Sequence, residues 1–182
     1  MRIRPSLTAL LLLLTTMMYG QTIVFSDGDF DFTVTEYDPT SVRLKALGGT
    51  LSGDVVIPES ASYQGNTYVV SEIEDLGDNP DVKSLRIPKT IHSIMNDFYQ
   101  LKGLQNIYVD EDNPNYLSID GVLFSSYDLC LTEYPQGRTG EYQVPEGIKR
   151  IQSAFHSEVP KLIISSTVEY VEPYTGSYIN EH

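Results

Sequence analysis

Apolar residues recur along the chain in short triplets whose first and third positions are mostly apolar, and proline follows three of the five triplets. Because side chains alternate between the two faces of a strand, this pattern predicts short strands that bury one face. Proline has no N–H group to give to a β-ladder, so it ends the strand and turns the chain. The triplets, each with its following residue, are VVIP (55–58), LRIP (85–88), IYVD (107–110), YQVP (142–145) and LIIS (162–165).

The spacing of these triplets predicts a solenoid. Their third residues lie 30, 22, 35 and 20 positions apart, which indicates a basic unit of roughly 20–22 residues with two insertions. A single layer cannot bury its own apolar edge, so stacked layers are expected to bury it in one continuous interior. The side chains predicted to stack inward are the pairs Leu85/Ile87, Ile107/Val109, Tyr142/Val144 and Leu162/Ile164.

A second set of apolar residues, always three positions apart, follows four of the triplets and predicts the opposite wall of each coil. These pairs are Val70/Ile73, Ile91/Ile94, Ile148/Ile151 and Val168/Val171. A third apolar group is expected to close the coil through a short helical or irregular turn. It comprises Phe98, Leu101 and Leu104 in one unit and Ala154 and Phe155 in another.

Turn-forming residues predict inserted hairpins and an N-terminal cap. Gly65-Asn66 and Asp120-Gly121 lie between strand-like flanks, and a further turn is expected over residues 125–128. Residues 21–53 predict a β cap, because Phe30 and Phe32 alternate with polar residues and a second strand follows the next turn. A cap covers the terminal strands of a solenoid, which otherwise offer unpaired backbone to other chains.

The start of the chain predicts export. Arg2 and Arg4 precede a leucine-rich run and then Gly20, a pattern typical of a secretory signal peptide. The rival interpretation, a transmembrane anchor, needs a run of roughly 20 apolar residues, and this run is shorter. The predicted division is a signal peptide (1–20), an N-terminal β cap (21–53), a solenoid (54–171) and a C-terminal tail (172–182). We expect a secreted or cell-surface protein without membrane insertion after cleavage, with the periplasm as an alternative.

Acidic residues dominate the charge of the chain. The formal net charge is −13, and loss of Arg2 and Arg4 with the signal peptide would take it to −15. Such a surface repels nucleic-acid phosphates and anionic lipid headgroups, so neither is expected as a partner. Cys130 is the single cysteine and cannot form an internal disulfide. It lies between two leucines and is expected to be a small buried hydrophobe.

Candidate catalytic and metal-binding residues are sparse. The three histidines, His92, His156 and His182, lack metal-ligand spacing, and the chain contains no GxSxG, P-loop or GxGxxG motif. The DGDFD stretch (27–31) has acidic residues at every second position, as a calcium-binding loop does, but Phe32 stands where that loop requires glycine. The sequence therefore predicts no enzyme, no cofactor and no metal site, and a glycan-acting enzyme is kept only as a third class.

Three segments of the sequence resemble the BspA-like leucine-rich-repeat family of bacterial surface proteins. They are SGDVVIPESASYQGNTYVVSEI (52–73), SLRIPKTIHSI (84–94) and the long hairpin-containing unit at 113–155. The resemblance implies a mainly β fold, a short leucine-rich-repeat solenoid with an N-terminal β cap and inserted hairpins. It also implies an adhesion-type role at a host or bacterial surface, and it carries no catalytic residues.

The outward face of the strands is the predicted binding surface. The middle residue of each triplet points away from the core, and these residues are Val56, Arg86, Tyr108, Gln143 and Ile163. Arg86 is expected to stack on Tyr108 as a cation–π pair. The leading prediction is a non-catalytic module that binds a protein or glycan ligand. The alternative is a structural component of a larger envelope assembly that docks, or self-associates, through its C-terminal coil.

Overall fold

The computed structural model describes residues 22–152, 155 and 161–172. This part of the chain forms sixteen strands and no helix, and hence no helix long and apolar enough to cross a membrane. The strands are β1 (Val24–Ser26), β2 (Phe30–Val34), β3 (Ser41–Ala46), β4 (Gly53–Val56), β5 (Ser60–Tyr63), β6 (Asn66–Asp75), β7 (Val82–Ile87), β8 (Ser93–Ile94), β9 (Asn106–Val109), β10 (Tyr116–Ile119), β11 (Val122–Ser125), β12 (Cys130–Glu133), β13 (Glu141–Gln143), β14 (Arg150–Ile151), β15 (Lys161–Ile163) and β16 (Tyr170–Val171). The predicted signal peptide, Ala154, His156 and nearly all of the predicted tail lie outside the described residues.

Most strands belong to one of two walls, in which successive layers pair in parallel. The first wall contains β4–β7–β9 and β13–β15. The second wall contains β3–β6–β8 and β12–β14–β16. Each layer runs from a second-wall strand through a turn to a first-wall strand. This arrangement confirms the prediction of a mainly β solenoid.

The layers of the C-terminal half keep a constant offset of 20 residues. Tyr142 pairs with Leu162 on the first wall, and β14 and β16 keep the same offset on the second wall. The exposed Lys161 Nζ lies 2.8 Å from Glu141 Oε2 across this register. Because an exposed ion pair contributes only about 0–1 kcal/mol, the register depends mainly on buried apolar side chains such as Val144.

The N-terminal cap is an antiparallel sheet of β1, β2 and β3. Phe32 is fully buried and pairs with Leu44, which is buried as well. β3 is also the first strand of the second wall, because it pairs in parallel with β6. The cap therefore supplies β-partners to the strand that would otherwise be the edge of the second wall.

Two hairpins with the same kind of turn interrupt the layers. The β5–β6 turn is Gln64-Gly65 and the β10–β11 turn is Asp120-Gly121, and all four residues have positive φ, as two-residue type I′ turns require. The first turn lies one residue before the predicted Gly65-Asn66, because Asn66 already pairs with Tyr63. A third turn connects β11 to β12, as predicted.

The apolar interior is divided by β11. Leu123 packs in a first core with side chains of the first three layers, whereas its neighbours Val122 and Phe124 pack in a second core with the later layers. All three side chains are at most 2% exposed, so this strand is buried on both faces. The prediction of one continuous interior is therefore wrong. Alternation along β11 sends neighbouring side chains into separate cores.

Most of the positions predicted to point inward are buried, and each such side chain contributes about 1.5–3 kcal/mol. Ile164 is an exception at 42% exposed, because it follows the end of β15 and no second strand of the described residues pairs with β15. The predicted closing turn is irregular and not helical, and it buries Phe98, Leu101 and Leu104. Buried inward positions include Ile57, Val70, Ile73, Leu85, Ile87, Ile91, Ile107, Tyr142, Val144, Ile148 and Ile151.

Candidate interaction surface

Three of the five predicted surface residues form a row across the first wall. Val56 pairs with Arg86, and Arg86 pairs with Tyr108 in the parallel ladder β4–β7–β9. The side chains before and after each of them, such as Leu85 and Ile87, point inward, so alternation directs the middle residue outward. We call Val56, Arg86 and Tyr108 the exposed row.

The predicted cation–π pair is confirmed. Arg86 Cζ lies 4.8 Å from the centroid of the Tyr108 ring. Val56 is 61% exposed and Tyr108 is 39% exposed, so the stacked pair adjoins an exposed aliphatic side chain. A cation–π contact at an exposed site contributes about 0.5–1 kcal/mol, which restricts the guanidinium without covering its outer face.

A cleft of about 290 Å³ opens along the exposed row. Its lining includes the row itself, Pro88 and two acidic residues, Glu59 and Asp110. Asp110 comes directly after the first-wall triplet IYV, and Glu59 comes one residue later in its layer, after the proline that follows VVI. Sequence reasoning missed them. Their position just past the strand ends was the available signal, because residues that follow parallel strands meet at the same edge of a sheet.

The structure separates the other two predicted residues from the row. Gln143 pairs with Ile163 in the two-stranded sheet β13–β15, and β13 does not pair with β9. The Ile107 N–H of β9 instead donates to the carbonyl oxygen of Gly121 in the hairpin at 2.9 Å. The single five-residue ladder is therefore replaced by a row of three and a row of two, because the hairpin occupies the space between them. Gln143 is exposed, whereas Ile163 is half-buried.

The structure defines the surroundings of Cys130 and His92, two residue types that often act in catalysis. Cys130 is buried, as predicted, and burial together with the nearby Asp128 carboxylate raises the pKa of its thiol to about 11. The thiol is therefore protonated at neutral pH and is a weak nucleophile. His92 is exposed, as expected from its position between inward isoleucines.

The acidic stretch at 27–31 forms the turn between β1 and β2 and the first two residues of β2. Asp27 Oδ1 accepts the backbone N–H groups of Asp29 at 3.1 Å and Phe30 at 2.9 Å. Asp110 Oδ1 accepts the N–H of Asp112 at 2.9 Å in the acidic loop that follows β9. Within the ranges that the structure covers, no group of three or more His, Cys, Asp or Glu side chains is arranged to hold a metal ion.

No known family model matches the sequence, and no curated protein matches it. The chain is similar to solved leucine-rich-repeat proteins. One is a leucine-rich repeat protein from Eubacterium ventriosum ATCC 27560, with 16% identity and a TM-score of 0.47 over 84% of this chain and 62% of that one. Another is a leucine rich cell surface protein from Faecalibacterium prausnitzii A2-165, with 15% identity and a TM-score of 0.46 over 84% of this chain and 45% of that one.

A third similar structure is the pneumococcal vaccine antigen PcpA, with 12% identity and a TM-score of 0.38 over 82% of this chain and 66% of that one. The chain thus spans about three fifths of the length of the Eubacterium protein. At such identities the likeness concerns the fold alone, and function has to be argued from this chain's own surface.

Proposed function

We propose that this chain is a non-catalytic protein-interaction module and that the exposed row is its contact surface. The observation that carries the proposal is the Arg86 guanidinium stacked on Tyr108 beside the exposed Val56. Arginine and tyrosine are among the residue types that most often dominate binding energy at interfaces. A guanidinium already held over a ring loses less side-chain freedom when a partner binds, which lowers the cost of association.

The electrostatics of the row favour a partner with both polar and apolar groups. The guanidinium offers N–H donors to carbonyl or carboxylate oxygens, and Glu59 and Asp110 offer acceptors in the same cleft. Val56 and the Tyr108 ring provide apolar area between them. The proposed partner is a protein or glycan at a host or bacterial surface, and no cofactor takes part.

The proposal is tested by binding to a panel of immobilised extracellular-matrix and bacterial surface proteins. The double variant Arg86→Ala/Tyr108→Ala should weaken every verified interaction by about tenfold or more, because truncating a hot-spot residue costs about 2 kcal/mol or more. The matched control is Arg150→Ala/Tyr170→Ala, which removes a second cation–π pair, at 5.2 Å, from the other wall. Equal affinity of the first variant and the unmodified protein would show that the row is inert.

We also propose that the protein is exported and acts in an adhesion-type role. Support comes from the basic start and leucine-rich run of residues 1–20, which are typical of a secretory signal peptide. Sequencing the N-terminus of the protein purified from its native host should give Gln21 as the first residue. A mature chain that still begins with Met1 would contradict cleavage at this position.

A further inference from the structure

The second wall contains a groove where its ladder is interrupted. β8 and β12 belong to successive layers of this wall, yet they do not pair with each other. A cleft of about 410 Å³ is lined from both strands and from the hairpin strands β10 and β11. A second cleft, of about 390 Å³, adjoins it and shares Met95, Asn96 and Asp97. We call the two clefts together the seam groove.

The floor of the seam groove is apolar. Phe98 and Leu123 are each 2% exposed, and Ile94 is half-buried beside them. The half-buried Tyr116 lies in the same lining, with its hydroxyl oxygen accepting the Ile94 N–H at 3.1 Å. This contact fixes the ring at the junction of β8 and the hairpin. An alkyl stem that lies on this floor removes its own apolar surface from water, together with part of the surface of the half-buried Ile94 and Tyr116.

The charged side chains that the structure describes in the lining of the groove are all acidic. Asp97 and Asp128 lie in the larger cleft, and Asp75 lines the smaller one. Asp128 Oδ2 also lies 3.9 Å from Arg150 Nε, but Arg150 is outside the groove. Among the described residues that line either cleft there is no lysine, arginine or histidine. A groove of this kind favours a cation and repels an anion.

The rim of the groove independently resembles a protein-binding surface. Met95 is 46% exposed, Tyr99 is 51% exposed and Tyr127 is 97% exposed. Methionine and tyrosine are enriched at protein interfaces relative to the rest of the surface. Asn96 and Gln152 add amide groups that can pair with a peptide backbone.

We propose that the seam groove binds an extended peptide that carries a lysine or arginine side chain. The alkyl stem packs on the half-buried Ile94 and Tyr116, which lie beside the buried Phe98 and Leu123, and the cationic head lies among the acidic side chains of the groove. Two adjoining clefts, of about 410 and 390 Å³, provide room for neighbours of the basic residue, which favours a peptide over a free diamine. The groove lies on the wall opposite the exposed row, so this site is separate from the proposed contact surface.

The test is an NMR titration of the ¹⁵N-labelled protein with three probes. These are acetyl-Thr-Val-Lys-Val-Thr-amide, the same peptide with norleucine in place of lysine, and cadaverine. The lysine peptide should cause saturable amide shifts within residues 93–98 and 125–133. The norleucine peptide should bind at least about fivefold more weakly, because it keeps the stem and lacks the charge. Cadaverine should also bind more weakly than the lysine peptide.

Two charge-matched variants complete the test. The double variant Asp97→Asn/Asp128→Asn should bind the lysine peptide roughly fivefold more weakly than the unmodified protein does. The control Asp29→Asn/Asp31→Asn makes the same change in charge on the N-terminal cap and should leave the affinity unchanged. The proposal is overturned if the lysine peptide does not bind, if norleucine binds equally well, or if both double variants behave alike. Equal binding of cadaverine would overturn the peptide as the ligand, and shifts confined to other regions would overturn the site.

Discussion

At the scale of single residues, the buried Asn113 connects two layers. Its Nδ2 donates to the carbonyl oxygens of Pro88 at 2.9 Å and Ile91 at 3.0 Å. Its Oδ1 accepts the backbone N–H groups of Asn115 and Tyr116, both at 2.9 Å. One side chain thus satisfies four backbone groups in a turn that has no strand partner, which is why it tolerates burial.

Asn79 connects two layers in a similar way, but in the turn from β6 on the second wall to β7 on the first wall. It is fully buried, donates to Leu47 and Leu76 carbonyl oxygens, and accepts the Leu51 N–H at 2.9 Å. Both asparagines belong to an Asp-Asn-Pro sequence, at 78–80 and 112–114. The repeated tripeptide was a readable signal of turns in which a buried asparagine bonds to a neighbouring layer, and sequence reasoning missed it.

Replacing Asn113 with alanine should therefore be costly. Asn113→Ala leaves buried backbone donors and acceptors without partners, so the free energy of unfolding should fall by about 3 kcal/mol or more. Urea denaturation monitored by circular dichroism measures the change. Asn115→Ala is the matched control, because that side chain is only half-buried, and a typical surface change costs about 0.5 kcal/mol or less. Equal losses in the two variants would contradict the role assigned to Asn113.

At the scale of elements, the β10–β11 hairpin joins the two halves of the solenoid. Its turn residue Gly121 accepts the Ile107 N–H of β9 through its carbonyl oxygen. Its far strand β11 pairs with β12 of the next layer. A Cβ atom at Gly121 would clash with the side-chain oxygen of Asn106, and the φ of +75° already disfavours any other residue.

Gly121→Ala should consequently destabilise the protein more than the equivalent change in the other hairpin. Gly65 occupies the same turn position with a φ of +80°, but a Cβ atom there meets nothing within 4 Å. Both variants carry the left-handed strain of about 1–2 kcal/mol, and Gly121→Ala must in addition displace the Asn106 side chain. Thermal unfolding should place Gly121→Ala below Gly65→Ala in Tm. The reverse order would show that the hairpin does not pack on β9 as described.

At the scale of the whole molecule, the spacing of the triplets and the alternation of apolar residues predicted the layers. They did not predict that the interior is divided into two cores. Leu85-Arg86-Ile87 identifies a strand with one buried face, and the 22-residue spacing brings Arg86 beside Tyr108. The placement of Gln143 in the same ladder is wrong, because a 35-residue spacing does not reveal that a hairpin intervenes between layers. Val122-Leu123-Phe124 is a continuous apolar run, typical of a strand buried on both faces.

The central structural claim is that this apolar run divides the protein into two cores. Val122→Ala removes aliphatic volume from the second core, and Leu123→Ala does so from the first, although the two residues are adjacent. Large-to-small changes at such fully buried sites cost about 2 kcal/mol or more and weaken the elements that contact the cavity.

Amide hydrogen exchange followed by mass spectrometry on these two variants tests the claim most directly. Val122→Ala should lower protection mainly in β12, β13 and β14. Leu123→Ala should lower it mainly in β6, β7 and β9. The same pattern of lost protection in both variants would contradict the division and would indicate one shared interior.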